Sequence, residues 1–312
     1  MKPQLLVLDD WEGQIESSTC WEQVRQDVDI RFLKKPVAEL SATEGAPVVY
    51  LLAIRERTAL TAAVFERLPN LKLVLQTGGH AYHIDLDEIN RRGILVALGR
   101  RARAPQVAVP ELTFALMLSA MHRLPEAQKA IQNGAWPLLM GRTLAGRRLG
   151  ILGLGRHGAR VARIAQDAFQ MEVVAWDRSG TVKEGDNGIA RLPLPELLAT
   201  SDVVSIHLRL SPESTGLLDK ERLGMLKPGA VLINTARGAI VDEPALVEAL
   251  RSGHLSAAGL DVFATEPLPV DSPLRSLANV VVTPHVGWTV QEVLEEFAQI
   301  ACAQLLGYRA GT

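Results

Sequence analysis

Cysteine is almost missing from this chain of 312 residues: Cys20 and Cys302 are the only two. Two cysteines so far apart supply neither a disulfide framework nor the spacing of a structural zinc site, so no metal is expected. Charge of one sign is also missing. The formal net charge is −2, which offers no broad basic surface to nucleic acid or anionic lipid. Long hydrophobic runs are absent as well. Leu5 to Leu8 meets Asp9 and Asp10 before a secretory core could form. The stretch from Leu112 to Met121 falls far short of the ~18 apolar residues of a membrane span. No short-period repeat or low-complexity tract is visible. What remains is 47% hydrophobic residues, enough for a sizeable core, in a chain long enough for about two domains. The expectation is a cytoplasmic protein without nucleic-acid or membrane partners.

Short apolar runs alternate with helical patterns along nearly the whole length. Strands are expected at residues 5–8, 48–53, 71–76, 149–152, 173–176, 203–208, 231–233, 259–262 and 280–282. Many are continuous Val/Ile/Leu runs, which is how strands covered on both faces read. Between them lie stretches such as 244–251, where Leu246, Val247 and Leu250 fall on one helical face. The pattern predicts an α/β chain with parallel sheets, one over residues 1–100 and a second over 101–283. A helix is expected from Pro110 with Leu112, Ala115, Leu116 and Ser119 on one side, and another over residues 290–306.

The strongest local motif is Gly153-Leu154-Gly155-Arg156-His157-Gly158. A bare G-x-G-x-x-G is weak, but this one follows an apolar run and opens a helix with Val161, Ile164, Ala165 and Ala168 on one face. The next run ends in Asp177, about 20 residues on, which completes the context of a dinucleotide fingerprint. Gly153 permits the tight turn, Gly155 lets the backbone approach a pyrophosphate, and Gly158 allows close helix–strand packing. The helix N-terminus faces the phosphates with N–H groups and a positive dipole end. Asp177 would hold ribose hydroxyls, which favours NAD over NADP.

Successive strands of the second sheet then end in chemistry. The run 231–233 leads to Arg237, the run 259–262 to Glu266, and the run 280–282 to His285. Ligands of open α/β sheets bind outside the carboxyl ends of the strands. A guanidinium grips a carboxylate with two parallel hydrogen bonds. A histidine exchanges a proton with a substrate oxygen near neutrality, and a neighbouring carboxylate would orient it and favour its charged form.

The chain resembles the D-isomer-specific 2-hydroxyacid dehydrogenases. The resemblance rests on L-G-I-L-G-L-G-R-H-G (149–158), H-L-R-L-S-P-E-S-T (207–215) and M-L-K-P-G-A-V-L-I-N-T-A-R-G (225–238). It continues through G-L-D-V-F-A-T-E-P (259–267) and N-V-V-V-T-P-H (279–285), and runs from Leu71 to the end. It implies two Rossmann-like domains, a discontinuous substrate domain (1–100 and 284–312) and an inserted NAD-binding domain (101–283). It implies hydride transfer between NAD(H) and a small 2-hydroxy or 2-keto acid, D-3-phosphoglycerate among the candidates. The family's catalytic Arg, Glu and His fall on Arg237, Glu266 and His285. Its pyrophosphate amides fall on Arg156 and His157 and its nicotinamide-side Asp on Asp261. His207, Thr235, Ala236 and Gly287 complete the cofactor set. Gly78 and Gly79 would bind the substrate carboxylate together with Arg237 and His285.

Departures from the family pattern are also legible. His80 replaces a usual glycine in the substrate loop Thr77-Gly78-Gly79-His80, and Gln170 stands where glycine is frequent after a helix. Trp288 and Tyr82 are candidates to narrow the pocket, and Arg55 and Arg57 to receive a distal anion. Arg100, Arg101 and Arg103 read as a solvated hinge. Larger phosphoglycerate enzymes carry a C-terminal regulatory domain, and none is expected in a chain ending at Thr312. A homodimer is expected through residues 111–121, apolar nearly all round, and an arm around residues 138–140. The competing reading is a non-enzymatic NAD(H)-sensing protein of the corepressor kind. A formate-type enzyme would be expected to place a neutral amide at Glu266.

Overall fold

The computed structural model describes residues 2–100, 102–178 and 188–311, so Arg101 lies outside the described residues. Two compact units are present: Met1–Ala104 with Thr289–Thr312, and Pro105–Trp288. These divisions fall a few residues beyond 100 and 283, so that Arg237, Glu266 and His285 all belong to one unit. Both units are parallel α/β sheets of Rossmann-like architecture.

The first unit holds β1 (Gln4–Val7), β2 (Asp29–Phe32), β3 (Val48–Ala53), β4 (Leu73–Gln76) and β5 (Leu95–Leu98) in the order β2-β1-β3-β4-β5. Every pairing is parallel. Helix Gln291–Ala310 belongs to this unit and buries Val293, Leu294, Phe297, Ala298, Ala301, Cys302 and Leu305. Their three- and four-residue spacing makes one apolar stripe. The helix runs past the expected residue 306 because it stops only at Gly311, whose φ of 76° suits a left-handed cap. At the other junction, the N–H groups of Arg103 and Ala104 donate to the Glu296 carboxylate at 2.7–2.9 Å. The backbone there is pinned, while the Arg100 and Arg103 side chains are exposed, as expected of a solvated stretch.

The second unit holds β6 (Arg148–Leu152), β7 (Glu172–Trp176), β8 (Ala190–Arg191), β9 (Val203–Ile206), β10 (Ala230–Asn234), β11 (Leu255–Leu260) and β12 (Val280–Val282). Their order is β12-β11-β10-β9-β6-β7-β8, again parallel. Strand β10 shows why the runs read as continuous: Leu232 packs into the core on one face, Val231 and Ile233 into that on the other. A fully buried side chain of this size contributes about 1.5–3 kcal/mol, so both faces stabilise the sheet. Strand β11 starts earlier than expected, at Leu255, and ends at Leu260. Asp261 and Phe263 therefore belong to the loop that carries Glu266.

Two helical faces differ from expectation. Helix Pro105–Met121 buries Thr113, Phe114, Leu116, Met117, Ala120 and Met121, while Ala115 is exposed. The bulkier side chains set the buried face, and Phe114 stacks on Phe169 with ring centroids 4.9 Å apart. Helix Arg156–Asp167 buries Val161, Ala162 and Ala165, and Ala168 becomes an exposed cap. Gln170 then takes φ 52°, the left-handed turn for which glycine is the cheaper residue. Among the described residues, no helix is long and apolar enough to cross a membrane.

Candidate active site

Strand order in the second unit reverses between β6 and β9, and ligands of such sheets sit at that point. The three glycines after β6 meet three different demands. Gly153 has φ 97°, and a Cβ there would lie 3.0 Å from the His207 backbone. At Gly158 a Cβ would collide with the Gly153 carbonyl oxygen, so helix and turn are in contact. At Gly155 nothing lies within 4 Å of the added atom. Gly155 is also the N-cap of helix Arg156–Asp167. Open space above a helix N-terminus is what a pyrophosphate needs, and these residues fit a dinucleotide. Arg156 and His157 supply the first helical amides.

His207 follows β9, with Ser205 Oγ 2.9 Å from its Nε2. Burial, and then the charge of His157, lower its pKa to about 3, so the ring is neutral. Asp177 follows β7, and Arg191 Nη1 lies 2.8 Å from its Oδ2. The carboxylate expected to meet the ribose thus has an arginine beside it. Thr235 Oγ1 lies 3.1 Å from Thr113 Oγ1, and the Ala236 N–H donates to Asn234 Oδ1 at 3.0 Å.

Arg237, Glu266 and His285 follow the ends of β10, β11 and β12. His285 Nδ1 lies 2.7 Å from Glu266 Oε2. A carboxylate can only accept, so Nδ1 carries the proton and Nε2 is left for another partner. Glu266 Oε1 accepts the Phe263 N–H at 2.9 Å, which fixes the carboxylate plane. Burial alone would raise the Glu266 carboxyl. The hydrogen bonds from His285 and the Phe263 amide, with the charges of His285 and Arg237, overcome it and hold the group below the ordinary carboxylate range. His285 itself has φ 55°, a strained backbone of the kind that persists at functional sites.

Asp261 holds that strained turn. Its Oδ1 accepts the Thr283 hydroxyl at 2.6 Å and the Val286 N–H at 2.8 Å, and its Oδ2 accepts the Gly287 N–H at 2.9 Å. Burial pushes the Asp261 carboxyl up, opposed by those three donors and by the charge of His285. Gly287, expected as a cofactor contact, gives its N–H to this clamp. A Cβ there would lie 3.1 Å from Asp261 Oδ2.

Sequence reasoning missed two positioning residues. Asn234, buried at the end of β10, donates from Nδ2 to the Arg237 carbonyl at 3.0 Å while its Oδ1 takes the Ala236 N–H. Gly238 lies so close to the Phe263–Ala264 peptide that a Cβ would overlap it. A polar residue closing an apolar strand was the available signal for Asn234. Gly238 had none beyond its neighbour.

In the first unit, Gly78 and Gly79 follow β4. The Gly99 N–H donates to the Gly78 carbonyl at 3.0 Å, and a Cβ on Gly78 would lie 3.2 Å from Arg55 Nη1. His80 sits in this loop without a positive φ. Its Nε2 is 2.8 Å from Glu56 Oε1, and its ring stacks on Tyr82 with centroids 4.4 Å apart. Trp288, in the other unit, is buried. Arg57 departs from expectation: it donates to the Asp9 carbonyl at 2.6 Å and forks onto the Glu12 carboxylate at 2.7 Å. Its guanidinium braces the loops after β1 and β3, and Arg55 Nε lies 3.3 Å from Glu56 Oε2.

A doubly wound dinucleotide unit with Arg, Glu and His at three strand ends defines a class of nicotinamide-dependent oxidoreductases. Residues 114–287 match the family model of the D-isomer specific 2-hydroxyacid dehydrogenase, NAD binding domain. The chain is 40% identical over 269 residues to D-3-phosphoglycerate dehydrogenase of Mycobacterium bovis, covering 85% of this chain and 50% of that protein. It is 37% identical to glyoxylate reductase of Korarchaeum cryptofilum, over 81% of this chain and 77% of that one. Among solved structures, a putative D-3-phosphoglycerate dehydrogenase oxidoreductase from Ralstonia solanacearum matches with TM-score 0.86 and 34% identity, over 99% of this chain and 94% of that one. The chain belongs to the D-isomer specific 2-hydroxyacid dehydrogenase family and carries its NAD-binding domain. It spans about half the length of the mycobacterial relative.

Proposed function

We propose that the protein is an NAD-dependent D-2-hydroxyacid dehydrogenase that interconverts a small 2-hydroxy acid and its 2-keto acid. The observation that carries this is the His285–Glu266 pair at 2.7 Å, with Arg237 at the neighbouring strand end of an NAD-binding unit. NAD(H), when bound, supplies the redox equivalent. In reduction, His285 donates its proton to the carbonyl oxygen. Arg237 holds the substrate carboxylate. Glu266 orients the imidazole through Nδ1, and Asp261 and Asn234 hold the two loops in place. The test is the NADH absorbance band with glyoxylate, pyruvate and hydroxypyruvate, and the reverse reaction with D-3-phosphoglycerate and NAD. Turnover of at least one acid supports the reading. Binding of NADH without turnover of any would favour the corepressor-like alternative.

For the cofactor, the Asp177 carboxylate favours free ribose hydroxyls and repels a 2′-phosphate. Its negative charge is partly offset by Arg191, so the proposed preference for NAD rests on a carboxylate that one substitution can neutralise. Asp177→Asn should shift the NADPH/NADH ratio of kcat/KM toward NADPH by about 10-fold, since about 1.4 kcal/mol of removed repulsion is a factor of ten. An unchanged ratio would remove Asp177 from cofactor choice.

For assembly, a homodimer formed by the arm after helix Leu124–Gln132 is favoured over one formed by helix Pro105–Met121. The large side chains of that helix fill the unit's own core, whereas Trp136 and Leu138 are 91% and 90% exposed, and Ile131 and Met140 are exposed with them. Arg142 anchors the arm's base through the Gly229 carbonyl at 2.9 Å. An apolar patch held out in this way marks an interaction surface. Light scattering at micromolar concentration should give twice the chain mass, falling toward one chain mass in Trp136→Ser/Leu138→Ser. A monomeric parent would contradict it.

A further inference from the structure

The two cysteines, too few for a disulfide framework, meet in the first unit. Cys20 caps the short helix Trp21–Arg25, and Cys302 lies within helix Gln291–Ala310. Their sulfurs are 2.8 Å apart, with the Cys302 thiol donating to Cys20 Sγ. Bonded sulfurs sit about 2.05 Å apart, so closing a bond requires a movement of under about 1 Å. The surrounding turn is held in register with the helix. Ser18 Oγ donates to Glu295 Oε1 at 3.0 Å, and Gln299 Nε2 donates to the same oxygen at 2.8 Å.

Access to the two sulfurs is unequal. Cys302 is 4% exposed, while Cys20 is half-buried and open to a small oxidant. The hydrogen bond from Cys302 holds the Cys20 thiol below its ordinary range, aided by Ser18 and the Arg25 charge against burial and the Glu295 charge. The same hydrogen bond, then burial, pushes the Cys302 thiol up. A partly exposed sulfur with thiolate character beside a shielded thiol is the arrangement of an attacking and a resolving cysteine.

We propose that Cys20 and Cys302 are a redox modification site: an intramolecular disulfide formed by a hydroperoxide, with Cys20 as the attacking sulfur. The Cys20 thiolate attacks the O–O bond, forming an S–O bond and releasing hydroxide, which leaves as water. Cys302 sulfur then displaces the hydroxyl, and its own proton leaves with that group as a second water. Two thiols and one hydrogen peroxide thus give one disulfide and two waters, the sulfurs losing the two electrons that reduce the O–O bond. A dithiol reverses the bridge by exchange. The bridge joins residues 282 apart in sequence and ties the two chain segments of the first unit together. Cross-linking so long a loop restricts the unfolded chain, so the oxidised form is the more heat-resistant one.

The experiment treats the full chain with one equivalent of hydrogen peroxide, counts thiols, and maps tryptic peptides without reduction. Thiols are expected to fall from two to none per chain. The peptides ending at Arg25 and Arg309 should appear joined with loss of two hydrogens, and dithiothreitol should restore both thiols. The oxidised chain should melt about 5 °C or more higher. Cys302→Ser should leave Cys20 as a sulfenic acid that dimedone captures, while Cys20→Ser leaves Cys302 unlabelled. Thiols that survive, a Cys20 sulfinic acid without a bridge, a bridge only between two chains, or an unchanged melting temperature would each overturn the proposal.

Discussion

His285→Ala should lower reductive turnover of the 2-keto acid by about 10²–10⁴-fold, the usual worth of a positioned acid–base group. The imidazole is set up by two independent devices. Glu266 holds Nδ1 at 2.7 Å, which directs Nε2 outward, and Asp261 holds the loop through Thr283, Val286 and Gly287. The second device uses backbone and hydroxyl donors and survives the substitution. NADH affinity should therefore change little while kcat falls, a split that general loop disorder would not produce. Near-normal turnover in His285→Ala would mean that another group supplies the proton.

Arg237→Ala should be the next most damaging change, with kcat/KM falling by about 10²–10³-fold. A fork on a carboxylate makes two charge-assisted hydrogen bonds, each worth about 1.5–3 kcal/mol, and the loss is felt in both binding and carbonyl polarisation. Arg237→Lys keeps the charge without the fork and should recover only part of the loss. The Arg237 backbone is fixed by Asn234 Nδ2 on its carbonyl and by the Gly238 contact with Phe263. The guanidinium also donates to the Ala236 carbonyl at 2.6 Å, so the substitutions remove one loop contact and leave these two in place. A lysine variant as active as the parent would show that the second hydrogen bond is not used.

The interior strands were plain in the sequence because each is covered on both faces and reads as an unbroken apolar run, as Val231-Leu232-Ile233 does. Three of the four edge strands were less legible, β12 being the exception. β2 alternates over only four residues, β8 has two, and β5, although an apolar run, has four residues, begins at an exposed one and is only half-buried. At the site, residue type at a strand end sufficed to single out Arg237, Glu266 and His285. What sequence could not supply was direction. The Arg57 guanidinium turns to Glu12, and Asp261 spends its oxygens on the His285 loop. These outcomes depend on which donors lie nearby in space, and no spacing rule along one strand encodes them.

The central claim is that Glu266 and His285 act as one proton-delivering pair, and the pH dependence of reductive kcat/KM tests it most directly. The hydrogen bond from His285 and its charge help hold Glu266 ionised, below the ordinary carboxylate range. Reduction needs the imidazolium. The parent's reductive kcat/KM should thus be high on the acidic side and fall as pH rises through a single midpoint, with the oxidative limb rising over the same window. Glu266→Gln keeps the shape and removes the charge facing the imidazole, so its reductive midpoint should move to lower pH. A midpoint that stays where the parent has it would contradict the account, leaving Glu266 as no more than a prop for its loop.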